Sequence, residues 1–160
     1  MKLIKPLIVA LVAFAVTLLM AGPASAAAAK FHYASGAVAS SGALVVSFDE
    51  RGLGNDNVDY SVTADATALY ACINGGGKHP QAANKEAFAD SLSAGASFEP
   101  KNGRVIASIT VGPLQAPQFQ CPNGQRRVLA AVSYTNIVLT DLTDGSSIAV
   151  PDTSRVFVAV

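Results

Sequence analysis

The chain has 160 residues, eleven basic and eleven acidic side chains, and two cysteines. So even a balance leaves no electrostatic footprint for nucleic acid and no polybasic patch for anionic lipid. The 51% apolar content is inflated by an N-terminal run and by alanine, so it does not mark a membrane protein.

Met1 to Lys5 is short and cationic, Leu7 to Met20 is apolar, and Ala21-Gly22-Pro23-Ala24-Ser25-Ala26 supplies small residues. That order is the plan of a secretory signal peptide, residues 1–26, with cleavage after Ala26 or, in a second register, after Ala28. The fourteen residues of the run would reach about 21 Å as a helix, too short for roughly 30 Å of hydrocarbon. Export to the extracellular space is therefore expected, without membrane insertion of the mature chain. Cleavage removes Lys2 and Lys5 and no acid, which shifts the balance to −2 and leaves 134 residues, enough for one domain.

Residues 27–42 read as a flexible arm that becomes an edge strand near Tyr33 to Val38. Residues 43–160 read as a single β-sandwich domain. Ala43 to Asp49 is a strand with Leu44, Val46 and Phe48 on one face, and Glu50 to Asn57 is a loop by its glycines and Asx residues. The long run Val58 to Ile73 alternates cleanly through Ala64. From Thr67 its apolar weight moves to Leu69, Ala71 and Ile73, which predicts a bulge near Asp65 and two strands meeting at a corner.

A Gly-rich loop follows from Asn74 to Asn84. Lys85 to Phe98 alternates weakly and is expected as a strand, with a helical turn over Pro80 to Ala89 as the alternative. Lys101-Asn102-Gly103-Arg104 is a type I′ hairpin signal, and Arg104 to Val111 is the returning strand. Gly112 to Gln125 holds three prolines and two glycines and is a loop. Arg126 to Asp141 is a long strand bent near Tyr134-Thr135-Asn136. Asp144-Gly145 is a turn, and Ser146 to Val150 and Arg155 to Val160 are closing strands. No amphipathic helix stands after the signal. The pattern predicts an all-β fold: an immunoglobulin-like antiparallel β-sandwich of about eight to ten short strands.

An even pair of cysteines in an exported chain predicts one disulfide, Cys72–Cys121, here without the tryptophan that an immunoglobulin domain packs against its bridge. Cys72 abuts the Gly-rich loop and Cys121 lies in the Pro-rich one, so the bridge is expected to staple two loops at one pole. That pole would gather Lys78, His79, Gln81, Asn84 and Lys85 with Gln118, Phe119, Gln120, Asn123, Gln125 and Arg126. Amides, an aromatic ring and cations on rigid loops suit a binding surface, although exposed loops are polar in any case. A second, weaker candidate is calcium at the carboxylates Asp49, Glu50, Asp56 and Asp59, whose spacing matches no EF-hand loop.

No Gly-x-Ser-x-Gly elbow, His-Glu-x-x-His or P-loop is present, and the two histidines, His32 and His79, stand alone. The reading is a non-catalytic protein without cofactor or resident metal, monomeric, binding an extracellular protein or polysaccharide. A secreted inhibitor or antimicrobial factor is the alternative, as is a small-ligand carrier or enzyme with a cleft that sequence does not reveal.

Ala43-Leu44-Val45-Val46-Ser47-Phe48, Gly52-Leu53-Gly54, Tyr60, Cys72-Ile73-Asn74-Gly75-Gly76, Asn84-Lys85, Cys121-Pro122 and Ser133-Tyr134-Thr135-Asn136 resemble a family of small secreted proteins of filamentous actinobacteria. The resemblance spans roughly Phe31 to Asp144. It implies export, paired cysteines and a shared fold, and it assigns no activity and no functional residue.

Overall fold

The computed structural model describes residues 29–74 and 84–160. The segment expected to be a signal peptide and Lys78, His79 and Gln81 lie outside the described residues. Eight strands follow in order: β1 (Lys30–Val38), β2 (Leu44–Arg51), β3 (Val58–Asn74), β4 (Lys85–Phe98), β5 (Arg104–Val111), β6 (Gln125–Asp141), β7 (Ser147–Val150) and β8 (Thr153–Val156). They form two antiparallel sheets, β1-β2-β5 and β4-β3-β6-β7, with β8 also paired to β6. Lettered A, B, C, C′, E, F and G, β1 to β7 give the A-B-E and C′-C-F-G pairing of an immunoglobulin-like sandwich.

The core lies between the sheets, where alternate residues of each strand meet. Phe31, Phe48, Tyr60 and Phe98 form an aromatic cluster at one end, the closest rings being Phe48 and Tyr60 at 4.7 Å. Such tilted and edge-on contacts suit the ring quadrupoles and add to the area buried. Asn102 (φ 53°) and Gly103 (φ 70°) take the two left-handed positions of the β4–β5 turn, as the Asn-Gly signal requires.

Four details depart from the sequence expectation. From Lys30 onward the supposed arm is a full strand, because Phe31 plugs the aromatic cluster and fastens the chain to β2. β3 is one strand and not two: Tyr60, Val62, Ala64, Ala66, Ala68 and Tyr70 stay on the buried face throughout. The bulge is real but belongs to its partner. Between Thr63↔Val138 and Asp65↔Thr135, β3 advances two residues and β6 three, with the extra one accommodated beside Asn136 (φ 50°). The burial of β6 accordingly changes parity, from Ala130, Val132 and Tyr134 to Ile137, Leu139 and Asp141. Finally, the last strand ends at Val156, and Phe157 and Val158 instead donate their N–H groups to the carbonyl of Ala130.

The edge beyond β6 breaks where β6 bends. β7 pairs with Ile137 to Thr140 and β8 with Ala131 to Tyr134, and Pro151-Asp152 separates the two.

Candidate functional site

The sheets are unequal. β3, β4 and β6 run 14 to 17 residues, and the strands of the other sheet only eight or nine. The overhang, from about Ala68 to Asn74 on β3, needs another cover. The Gly112–Gly124 connection supplies it. Leu114 and Ala116 are buried there, and Phe119 is half-buried with its ring edge-on to Phe88 at 6.1 Å.

This irregular segment is fastened at several points. The Tyr70 hydroxyl donates to the Leu114 carbonyl at 2.7 Å. The Arg127 guanidinium donates to the carbonyls of Ala116 and Phe119 and lies 5.6 Å from the centre of the Tyr70 ring. Cys121 joins Cys72 with a Cα separation of 5.6 Å. These bonds answer a physical need: a loop pressed onto a core must find partners for its carbonyls or lose stability. Burial pushes the Tyr70 hydroxyl above its ordinary range, and the Arg127 charge opposes that shift.

Cys72 sits within β3, 1% exposed, and only Cys121 is in a loop. The bridge thus ties the end of one sheet to its cover, where two stapled loops were expected. The other expected site residues divide in two. Phe119 serves packing. Gln118, Gln120, Asn123 and Arg126 are exposed around it, and the Gln120 amide donates to the Pro117 carbonyl at 2.8 Å. Asn84 opposes Gln125, amide to amide, at 3.3 Å, and its carbonyl accepts from the Cys72 N–H. Lys85 is exposed at the start of β4. A shallow depression of about 400 Å³ lies among Pro117, Phe119, Gln120, Cys121, Gln125 and Arg127.

Sequence reasoning missed Arg127, singling out its neighbour Arg126. A second irregularity of β6, between Leu69↔Ala131 and Tyr70↔Leu129, sets Arg127 opposite Cys72 and hence toward the cover. A run of alternating residues gives no sign of that slip. The missed aromatic partners, Tyr70 and Phe88, carry a plainer signal, since large rings near a cysteine have to be covered by something.

The four carboxylates weighed for calcium do not converge. Asp49 and Glu50 are adjacent in β2 and so point to opposite faces. Asp49 lies on the outer face, gripped by Arg104 through two bonds of 2.7 Å and by Arg51 at 2.8 Å. Those guanidiniums, Arg104 first, hold its carboxyl far below the usual carboxylate range. Glu50 points inward and is fully buried, while Asp56 and Asp59 are exposed. No cluster of three or more His, Cys, Asp or Glu suited to a metal occurs among the described residues.

Fold and surface together define an all-β sandwich with a pinned, amide-rich cover over one end of its larger sheet. No protein-family model matches the chain, and neither the curated proteins nor the solved structures contain a match.

Proposed function

We propose that this is an exported, non-catalytic protein that binds a polysaccharide through the cover at its disulfide end. The observation that carries this reading is the contrast within one segment. The backbone of 112–124 is held by a disulfide, Tyr70 and Arg127, yet Gln118, Gln120, Asn123 and the adjacent Arg126 face solvent. Rigid presentation lowers the ordering cost of binding.

A hydroxyl-rich ligand suits this surface better than a protein does. Protein interfaces are centred on buried aromatic anchors, and the one ring here, Phe119, is already turned against Phe88. Amides, which donate and accept, and a guanidinium, which only donates, match sugar hydroxyls instead.

The test is retention on immobilised extracellular polysaccharides and on cell-wall fractions. The quadruple substitution Gln118→Ala, Gln120→Ala, Asn123→Ala and Arg126→Ala should weaken retention by roughly a hundredfold to a thousandfold, at about 1 kcal/mol for each bond lost. Its melting temperature should stay that of the wild type. Undiminished retention, or retention on none of these materials, would remove the reading.

A further inference from the structure

Strand edges need protection, because their unpaired N–H and C=O groups invite another strand. Among the described residues, most strand edges left free have it. β1 is broken by a register shift between Phe31 and Tyr33. β7 and β8 are four residues each, separated by Pro151. β5 is eight residues long and begins at Arg104, whose side chain lies against Asp49.

β4 is the exception. It runs fourteen residues in unbroken register with β3, with no bulge and no proline. Its charges, Lys85, Glu86 and Asp90, all fall in its first six residues, and Ser91 to Phe98 carries none. At about 3.4 Å per residue this edge is roughly 48 Å long, more than twice that of a common strand.

We propose that a second copy of this chain pairs with β4 antiparallel about a two-fold axis at Leu92, joining the two larger sheets into one. The occupant follows from two charges, Lys85 at the start of β4 and Glu99 one residue beyond its end. Lys85 stands seven residues before Leu92 and Glu99 seven after it. Both are exposed, and both share the outward parity of Ser91, Ser93 and Ser97. A two-fold at Leu92 sets each copy's Lys85 opposite the other's Glu99, so both ends of the seam carry opposite charges.

Between them the outward pairs are Ala87 with Ser97, Ala89 with Gly95 and Ser91 with Ser93, all small enough for close approach. On the inward face Glu86 meets Phe98, Phe88 meets Ala96, Asp90 meets Ala94, and Leu92 meets its own counterpart. No like charges are opposed. Sliding the seam by an even number of residues loses both ion pairs, and an odd slide sets inward residues against outward ones. The two disulfide ends would then point in opposite directions. This arrangement replaces the monomer expected from the sequence.

Sedimentation velocity over a concentration series tests it, with protein lacking residues 1–26. Glu99→Lys alone and Lys85→Glu alone each set like charges opposite at both ends and should raise the dimer Kd on the order of tenfold. The double exchange Lys85→Glu/Glu99→Lys should restore the wild-type value. Both side chains are exposed, so circular dichroism should show the same fold in all four proteins. A protein monomeric up to about 1 mM, the weak limit of specific association, would overturn the proposal. So would a dimer indifferent to the charge exchange, or a monomer that takes an unrelated extended peptide on this edge.

Discussion

Glu50 is fully buried, and one of its carboxyl oxygens accepts a 2.7 Å hydrogen bond from the Tyr60 hydroxyl. Its other oxygen accepts from the Ser146 hydroxyl at 3.2 Å. A second buried acid, Asp141, faces the same region from the end of β6. One of its oxygens takes the N–H groups of Thr143 and Asp144, and the other has no hydrogen-bond partner among the described residues. The arginines of the neighbourhood are committed to Asp49 on the far side of β2. With no cation between them among the described residues, two buried acids are costly, and protonation of Glu50 relieves the cost.

That geometry sets the pH dependence. Desolvation, with the charges of Asp141 and Asp144 added, raises the Glu50 pKa above its ordinary 4.5, against the opposing bonds from Tyr60 and Ser146. The folded protein therefore keeps a proton that the unfolded chain releases. Stability from this group is full below pH 4.5 and is lost as pH climbs from there through the raised folded value. Glu50→Gln keeps the shape and an acceptor for Tyr60 but cannot ionise. Its melting temperature should exceed that of the wild type at pH 7.5, by about 2 to 4 °C for each kcal/mol of relief. The gap should close as the buffer is taken to pH 4.5. Parallel melting curves across that range would show that Glu50 carries no such cost.

The disulfide makes a different claim about cooperativity. Closing a 49-residue separation is worth about 4 kcal/mol by loop-closure entropy. Because the bridge joins β3 to the cover and not to the opposite sheet, its loss should act locally first. Cys72→Ala/Cys121→Ala should lower the melting temperature on the order of 10 °C. Limited proteolysis should then cut between Pro117 and Gly124 while both sheets remain protected from hydrogen exchange. Simultaneous loss of protection in β2, β5 and β6 would mean that the bridge supports the whole sandwich.

Much of the fold was legible because hydrophobic period and turn chemistry are local. The Asn102-Gly103 turn, the length of β4 and the bend of β6 near Asn136 all follow from neighbouring residues alone. What misled was β3. Leu69, Ala71 and Ile73 look like a change of face, yet Ala66, Ala68 and Tyr70 stay on the core side, because alanine is too weak a marker to show which face is buried. The slip lay in the partner strand, and register between strands distant in sequence leaves no mark on either one alone. The candidate site was legible as a location, from Cys121 and its prolines. Its division of labour was not, since whether Arg126 or Arg127 turns toward the cover depends on the irregular pairing of β6 with β3. Calcium at Asp49 and Glu50 failed for a plainer reason: adjacent residues of a strand face opposite ways.

The bulge that misled is itself testable at Asn136. Its φ of 50° is in the left-handed region, and its side-chain amide donates to Asp65 at 2.9 Å. Asparagine tolerates that conformation better than most residues, and glycine adopts it freely. Asn136→Gly gives up the hydrogen bond and keeps the backbone, whereas Asn136→Ala gives up the bond and adds about 1 to 2 kcal/mol of left-handed strain. Urea unfolding should therefore rank the wild type above or level with the glycine variant, and the glycine variant above the alanine variant by that margin. The ranking matters beyond this residue, because the parity change it permits directs Ile137 and Leu139 inward on one side of the bend and Val132 and Tyr134 inward on the other. Equal midpoints for the glycine and alanine variants would place the constraint that bends β6 elsewhere, at the break between β7 and β8.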